Sequence, residues 1–218
     1  MRWSGARALV GAASLAAGVL VMGVAVPASA DAVSDPATQD ELTAEMDTLR
    51  YQVKLDEAAG DVQIQNDGTI VQTIDEQQMV LEQDGSWTIN DVPTEGQITP
   101  QFVSGCAGSF GDVLRVRNYL QGSATQTCTE GAYPQWIHYQ LRSTCAGPLC
   151  IIFSNETGRI RSNNGLGYSR VANVTYTEDC ESSGNRKYSQ IVWPAGKGVE
   201  FGPVVDRDEP IVGCDLNA

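Results

Sequence analysis

The chain holds a single histidine, six cysteines and a scatter of carboxylates, and these set the chemistries open to it. His138 sits in Tyr133-Pro134-Gln135-Trp136-Ile137-His138-Tyr139, where strand alternation puts Trp136 and His138 on one face and Ile137 and Tyr139 on the other. A serine or cysteine hydrolase needs a base beside its nucleophile. This lone histidine reads instead as a strand residue packed among aromatics. No G-x-S-x-G elbow, P-loop or H-E-x-x-H occurs. Glycoside hydrolysis needs only two suitably separated acids, and Asp112, Glu130, Glu178, Asp179 and Glu200 are available for it. Sequence alone does not show any of them converging on one site, and the expectation is a non-enzyme with no catalytic residue and no cofactor. Asp206-Arg207-Asp208-Glu209 lacks the ligand pattern of a calcium loop, and without a C-x-x-C pair the cysteines do not read as a zinc site. No metal is expected.

Binding has more to work with. Tyr133, Tyr139 and Tyr168 offer rigid contact area, whereas Trp136 and Trp193 read more naturally as core. Arg159, Arg161 and Arg170 surround the turn at Asn163–Gly167 and form a local basic group. Arg142 and Leu149 flank or enter the stretch Cys145-Ala-Gly-Pro-Leu-Cys150, which a disulfide would brace into a loop able to enter a proteinase pocket. The reading that follows is a secreted protein-binding module, either an adaptor in an extracellular complex or a proteinase inhibitor. The alternative is a lectin-like module for carbohydrate or cell wall, which would display exposed aromatics over a shallow groove.

Charge narrows the partners. Arg2 and Arg7 precede an apolar run, Ala8 to Val26, and Ala28-Ser29-Ala30 supplies the small residues of a cleavage site, so residues 1–30 read as an export signal. Its removal takes two of the 14 basic residues and none of the 27 acids, leaving a net charge of −15. Residues 31–100 carry 16 acids against Arg50 and Lys54 alone, while the remainder is close to neutral. Such a field repels nucleic acid and anionic membrane. After the signal no apolar run is long enough to span a bilayer. The partner expected is another extracellular protein, with a glycan as the alternative.

Two regions must position these groups. Residues 31–92 open with a helix expected over about Ala37–Ala58, capped by Asp35 with Pro36 in the first turn and striped by Leu42, Met46, Leu49 and Val53. The period then switches to two. Val62–Gln65 and Thr69–Ile74 flank Asn66-Asp67-Gly68, and Gln78–Glu82 and Ser86–Ile89 flank Gln83-Asp84-Gly85, which predicts a meander of two hairpins. Pro93, Gly96 and Pro100 mark residues 93–100 as a linker. Residues 101–218 predict a β-sandwich or Greek-key barrel, with strands over Asp112–Leu120, Gln135–Leu141, Leu149–Phe153, Gly167–Tyr176, Arg186–Trp193 and Gly198–Phe201. Edge pieces fall near Thr125–Thr129 and Ile211–Cys214, and joints at Gly105–Gly111, Asn155–Gly158 and Ser182–Asn185. The chain is thus expected to be mainly β, with an N-terminal helix.

All six cysteines fall in the second region, and behind an export signal they predict three disulfides. The most local pairing is Cys106 with Cys128, Cys145 with Cys150 and Cys180 with Cys214; a longer-range bridge from Cys106 or Cys128 is also open. The layout of signal, short helix, hairpins and cysteine-containing β domain resembles small secreted actinobacterial proteins, some of which carry βγ-crystallin-like or proteinase-inhibitor domains. Leu149-Cys150-Ile151-Ile152-Phe153-Ser154-Asn155-Glu156-Thr157-Gly158 resembles the aromatic-rich hairpin of that Greek key. The resemblance implies a β domain and carries over no activity and no binding residue.

Overall fold

The computed structural model describes residues 39–92, 105–145 and 154–216. The export signal, the Asp35-Pro36 helix start, the linker at 93–100, the strand at Leu149–Phe153 and the Cys145–Cys150 pairing lie outside the described residues. Helix α1 runs over Gln39–Met46 and buries Leu42 and Met46. It is shorter than the apolar stripe predicts. The Gln52 side-chain amide donates to the Leu49 carbonyl at 3.1 Å and to that of Met46, closing the helix end. Tyr51 and Val53, both within the helix expected over about Ala37–Ala58, instead lie in strand β1 (Tyr51–Val53), where both are buried against β15 (Val204–Asp206). Strand pairing here overrides helical spacing, which aromatic and β-branched residues tolerate well.

The meander forms as its turn residues predict. Strands β2 (Asp61–Ile64), β3 (Ile70–Ile74), β4 (Gln77–Leu81) and β5 (Trp87–Asp91) pair antiparallel in sequence order. The two D-G turns share one construction. Gly68 and Gly85 both adopt φ 82°, a left-handed conformation that glycine takes without a Cβ penalty. In each turn the preceding aspartate accepts from a backbone N–H two residues on, Asp67 from Thr69 at 3.0 Å and Asp84 from Ser86 at 2.9 Å. The backbone bond from Thr69 holds the Asp67 carboxyl below its ordinary range, and the Ser86 hydroxyl, donating at 2.6 Å, does the same for Asp84 together with its backbone bond.

After residue 104 come β6 (Cys106–Phe110), β7 (Leu114–Val116), β8 (Tyr119–Cys128), β9 (Trp136–Cys145), β10 (Ser154–Glu156), β11 (Ile160–Arg161), β12 (Val171–Asp179), β13 (Ser182–Gly196), β14 (Val199–Glu200), then β15 and β16 (Ile211–Asp215). Single turns of 3-10 helix occupy Glu130–Ala132 and Ser162–Gly165. Three expected joints are strand. Gly105–Gly111 contains β6, Ser182–Asn185 opens the long β13, and Asn155–Gly158 contributes to β10. Small polar residues hide a strand from sequence when its neighbours rather than its own side chains fill the core. Conversely, the expected Asp112–Leu120 strand breaks at Arg117, which takes φ 58° between β7 and β8.

The strands form two packed sheets, the sandwich rather than the barrel. One sheet has the order β1-β15-β13-β9-β10, with β11 on β9 and β14 and β16 on β13; the other has the order β12-β8-β6-β5-β4-β3-β2, with β7 on β8. The acidic and cysteine-bearing regions are woven together in both. β5 pairs with β6, and β1 with β15, within one compact unit, Ala37–Ala218. The shift in charge near residue 100 is therefore not a boundary between sheets. Among the described residues no helix is long and apolar enough to cross a membrane.

Trp87, Met79, Leu120, Ile137, Tyr139, Leu141 and Tyr188 are wholly buried between the sheets. Tyr139 fits because β8 carries Gly122 opposite it: a Cβ there would fall 2.1 Å from the tyrosine hydroxyl. Among the described residues two disulfides brace the fold. Cys106–Cys128 joins directly opposed residues of β6 and β8, and Cys180–Cys214 ties the end of β12 to β16 in the other sheet. Buried amides make further ties. Gln126 of β8 accepts from the Trp87 indole at 2.9 Å and donates to Gln135 at 2.8 Å and to the Ala195 carbonyl at 2.9 Å. Replacing Gln126 by alanine strands the indole N–H and both acceptors, and is expected to cost about 3 kcal/mol in chemical denaturation, against well under ~1 kcal/mol for exposed Thr127→Ala. Removing the Cys180–Cys214 bridge with a serine pair opens a loop of 34 residues and should cost about 3–4 kcal/mol on the chain-entropy account.

Candidate functional site

Strand alternation builds the site. Ile137, Tyr139 and Leu141 of β9 point into the core, so Trp136, His138, Gln140 and Arg142 face outward. β9 lies between β11 and β13 in register: Arg161 is opposite His138 on one side and Trp193 is opposite it on the other. Ala195 of β13 separates Trp136 from Glu200 of β14 in the next row. Two adjacent rows of one sheet face thus bring together two indoles, an imidazole, a carboxylate and the arginines that follow β10.

Glu200 is the hub. Its carboxylate accepts from the Trp136 indole at 2.8 Å, lies 2.5 Å from His138 Nδ1, and receives the Arg159 guanidinium. Arg159 also stacks over the Trp193 ring at 4.0 Å, and Arg161 over Trp136 at 4.4 Å. Each stack contributes on the order of 1 kcal/mol in a half-buried setting. Burial alone would raise the Glu200 carboxyl, but hydrogen bonds from Trp136, His138 and Arg159 hold it below the usual range. Burial, helped by Arg159 and Arg161, lowers the His138 imidazole against the opposing pull of Glu200.

One nitrogen serves two neighbours. His138 Nδ1 faces Glu200 at 2.5 Å and Arg159 Nη2 at 2.8 Å. Protonated, Nδ1 donates to the carboxylate; with the proton on Nε2 it accepts from the guanidinium, so the ring's tautomer selects the partner.

The sequence candidates do not all meet at one place. Arg159 and Arg161 belong to this cluster. Tyr168 and Arg170 are exposed on the neighbouring segment that leads into β12. Arg142 is exposed on the same outward face but four residues beyond His138, roughly 13 Å along the strand. Tyr133 is half-buried and packs against the core. Tyr139 is a correction: it is fully buried, with its hydroxyl donating to Gln190 at 2.8 Å, so it offers no contact surface. Leu149 lies outside the described residues. Of the available carboxylates, Glu200 alone joins the cluster; Glu178 and Asp179 stand on β12, Glu130 in a 3-10 turn and Asp112 between β6 and β7. Asp206 and Asp208 bond to Arg50, and Glu209 to Lys187, so the acidic run is tied to basic side chains. Sequence reading missed the pairing of Trp136 and Trp193 with the arginines. Its one available signal was the alternation that sets Trp136 and His138 on the same face.

The segment 162–170 is pinned to the start of β9. Ser162 Oγ accepts from the Ile137 N–H at 2.9 Å, the Gly167 carbonyl from the Gln135 N–H at 2.7 Å, and the Ser169 carbonyl from the Gln135 side chain. Between these anchors Leu166 is 75% exposed and Tyr168 77%. Folding therefore fixes two large apolar side chains in water beside the arginine–tryptophan face.

The direction of the His138 shift sets a pH dependence. The folded chain holds a proton on His138 less firmly than the unfolded chain does, so stability declines as pH falls below about 6.5, the ordinary histidine value. The lowered Glu200 carboxyl adds a later loss, as pH falls through its folded value. Urea midpoints measured between about pH 7 and pH 5 should fall less steeply for His138→Gln than for the wild type; parallel slopes would sink this assignment. No protein-family model matches this chain, and neither does any curated protein or solved structure.

Proposed function

We propose that the chain is an exported, non-catalytic module that binds another extracellular protein through the Leu166–Arg170 segment. One observation carries this reading. Leu166 and Tyr168 are the most exposed large apolar side chains among the described residues, and both sit in a segment held at Gln135 and Ile137. An exposed apolar pair on a pre-ordered segment loses little entropy on association, and an aromatic anchor beside arginine is the composition of an interface hot spot. Arg161 and Arg170 flank the pair with positive charge on a chain that is acidic as a whole. Adaptor and proteinase inhibitor both use such a segment, and the nature of the captured protein separates them.

A glycan module has weaker support. Sugar recognition stacks a pyranose on an open aromatic face, whereas Trp136 and Trp193 each already carry a guanidinium on one face.

The test uses protein recovered from the medium after export, immobilised as bait in the producing organism's culture supernatant. One extracellular protein should be captured stoichiometrically, and the double substitution Leu166→Ser, Tyr168→Ser should weaken capture by about 30-fold or more, the loss of one hot spot. Capture unchanged by that substitution, or retention on insoluble polysaccharide alone, overturns the reading.

A further inference from the structure

Among the described residues, strand β12 ends its sheet and is paired on one side only. Its nine residues pair with β8 in unbroken register, from Val171 opposite Thr127 to Asp179 opposite Tyr119. The bonds just beyond each end show which backbone groups that pairing uses: the Cys128 N–H donates to the Arg170 carbonyl at 2.8 Å, and the Cys180 N–H to the Asn118 carbonyl at 2.7 Å. Antiparallel strands alternate between residues that exchange hydrogen bonds with the neighbour and residues that point away. The even-numbered residues from 170 to 180 therefore serve β8. Val171, Asn173, Thr175, Thr177 and Asp179 turn their N–H and C=O groups to the open edge, and all five are exposed. Among the described residues only the Val171 carbonyl has a partner there, the Ser169 hydroxyl at 2.8 Å.

Open edges are ordinarily protected by lysine, proline or a bulge. Val171-Ala-Asn-Val-Thr-Tyr-Thr-Glu-Asp179 has none of these, and its only charges are the two acids at its C-terminal end. Just before the strand stands exposed Arg170, which among the described residues makes no ion pair, and neither does Asp179.

We propose that β12 pairs antiparallel with β12 of a second copy of this chain, about a two-fold axis at Thr175. That register sets Thr175 against the partner's Thr175, Asn173 against the partner's Thr177 and Val171 against the partner's Asp179. Every one of these pairs joins two odd-numbered residues, so each uses groups that β8 leaves free. Charge selects the same arrangement. Each Arg170 comes beside the acids at the end of the partner strand, and the two acidic ends lie roughly 27 Å apart. Parallel pairing would bring all four acids together. On the inward face Val174 meets the partner's Tyr176, and the two sheets become one continuous sheet.

The test is the mass of the purified full chain by sedimentation across concentration, with amide hydrogen exchange. The wild type should shift from monomer to dimer, and the amides of Asn173, Thr175 and Thr177 should gain protection in step, while the even-numbered amides are protected throughout. Thr175→Lys sets two ammonium groups face to face on the axis and should weaken the dimer by about tenfold or more, with circular dichroism unchanged. As a register check that does not depend on affinity, Thr175→Cys should form a disulfide-linked dimer and Asn173→Cys should not, because only residue 175 meets itself. A monomer at millimolar concentration overturns the proposal, as does a dimer that Thr175→Lys leaves intact, cross-linking through Asn173→Cys, or protection of these amides that arises only when a foreign protein is added.

Discussion

Three glutamine side chains buried between the sheets hold the sandwich in one alignment. Gln126 reaches from β8 to Gln135 and the Ala195 carbonyl, Gln190 reaches from β13 to the Gly111 carbonyl, and Gln72 on β3 receives the Gly202 N–H from the other layer at 2.8 Å. Apolar packing is non-directional and would permit neighbouring alignments of the layers. An amide is not so tolerant: displaced by a residue, it leaves a donor or acceptor unpaired where water cannot reach it. The outward face of β9 and β13 depends on this alignment, because Tyr139 and Gln190 bond on the inside of the strands that carry His138 and Trp193 on the outside.

The outward face follows a different economy. Its indoles and imidazole are half-covered by side chains that are themselves charged, so the cluster is ordered without being dry. Arg159 links three of its members, Glu200, His138 and Trp193, through one planar guanidinium. Lysine would not reproduce this, since a point charge cannot stack on a ring and fork to a carboxylate together. The ordered face also abuts the start of β9, where Gln135 anchors the segment bearing Leu166 and Tyr168. Surface chemistry and core alignment are therefore joined through a few residues at one end of one strand.

Much of the fold was legible residue by residue. The D-G turns declared the meander, because only glycine takes their left-handed position cheaply. The alternation in Trp136–Tyr139 separated an inward from an outward face, and the most local cysteine pairing matches the two described bridges. What misled was local composition. Gly-Cys-Ala-Gly-Ser-Phe-Gly at 105–111 looks like a joint but forms β6, and Tyr51–Val53, inside the expected helix whose stripe ends on Val53, forms β1. In both places the deciding partner, β5 with β8 or β15, lies elsewhere in the chain, and periodicity within a window carries no information about it.

By itself, then, the sequence determined the class of structure, the sign of the charge, the turns and the presence of a single histidine, all of which are properties of residue type and near spacing. Tertiary structure alone decided that Glu200 meets His138 across a sequence separation of 62, that Tyr139 is core rather than surface, and that β12 is left at an edge among the described strands. These are consequences of which strands become neighbours, and that choice is made by burying two faces at once, a condition that no single segment can express.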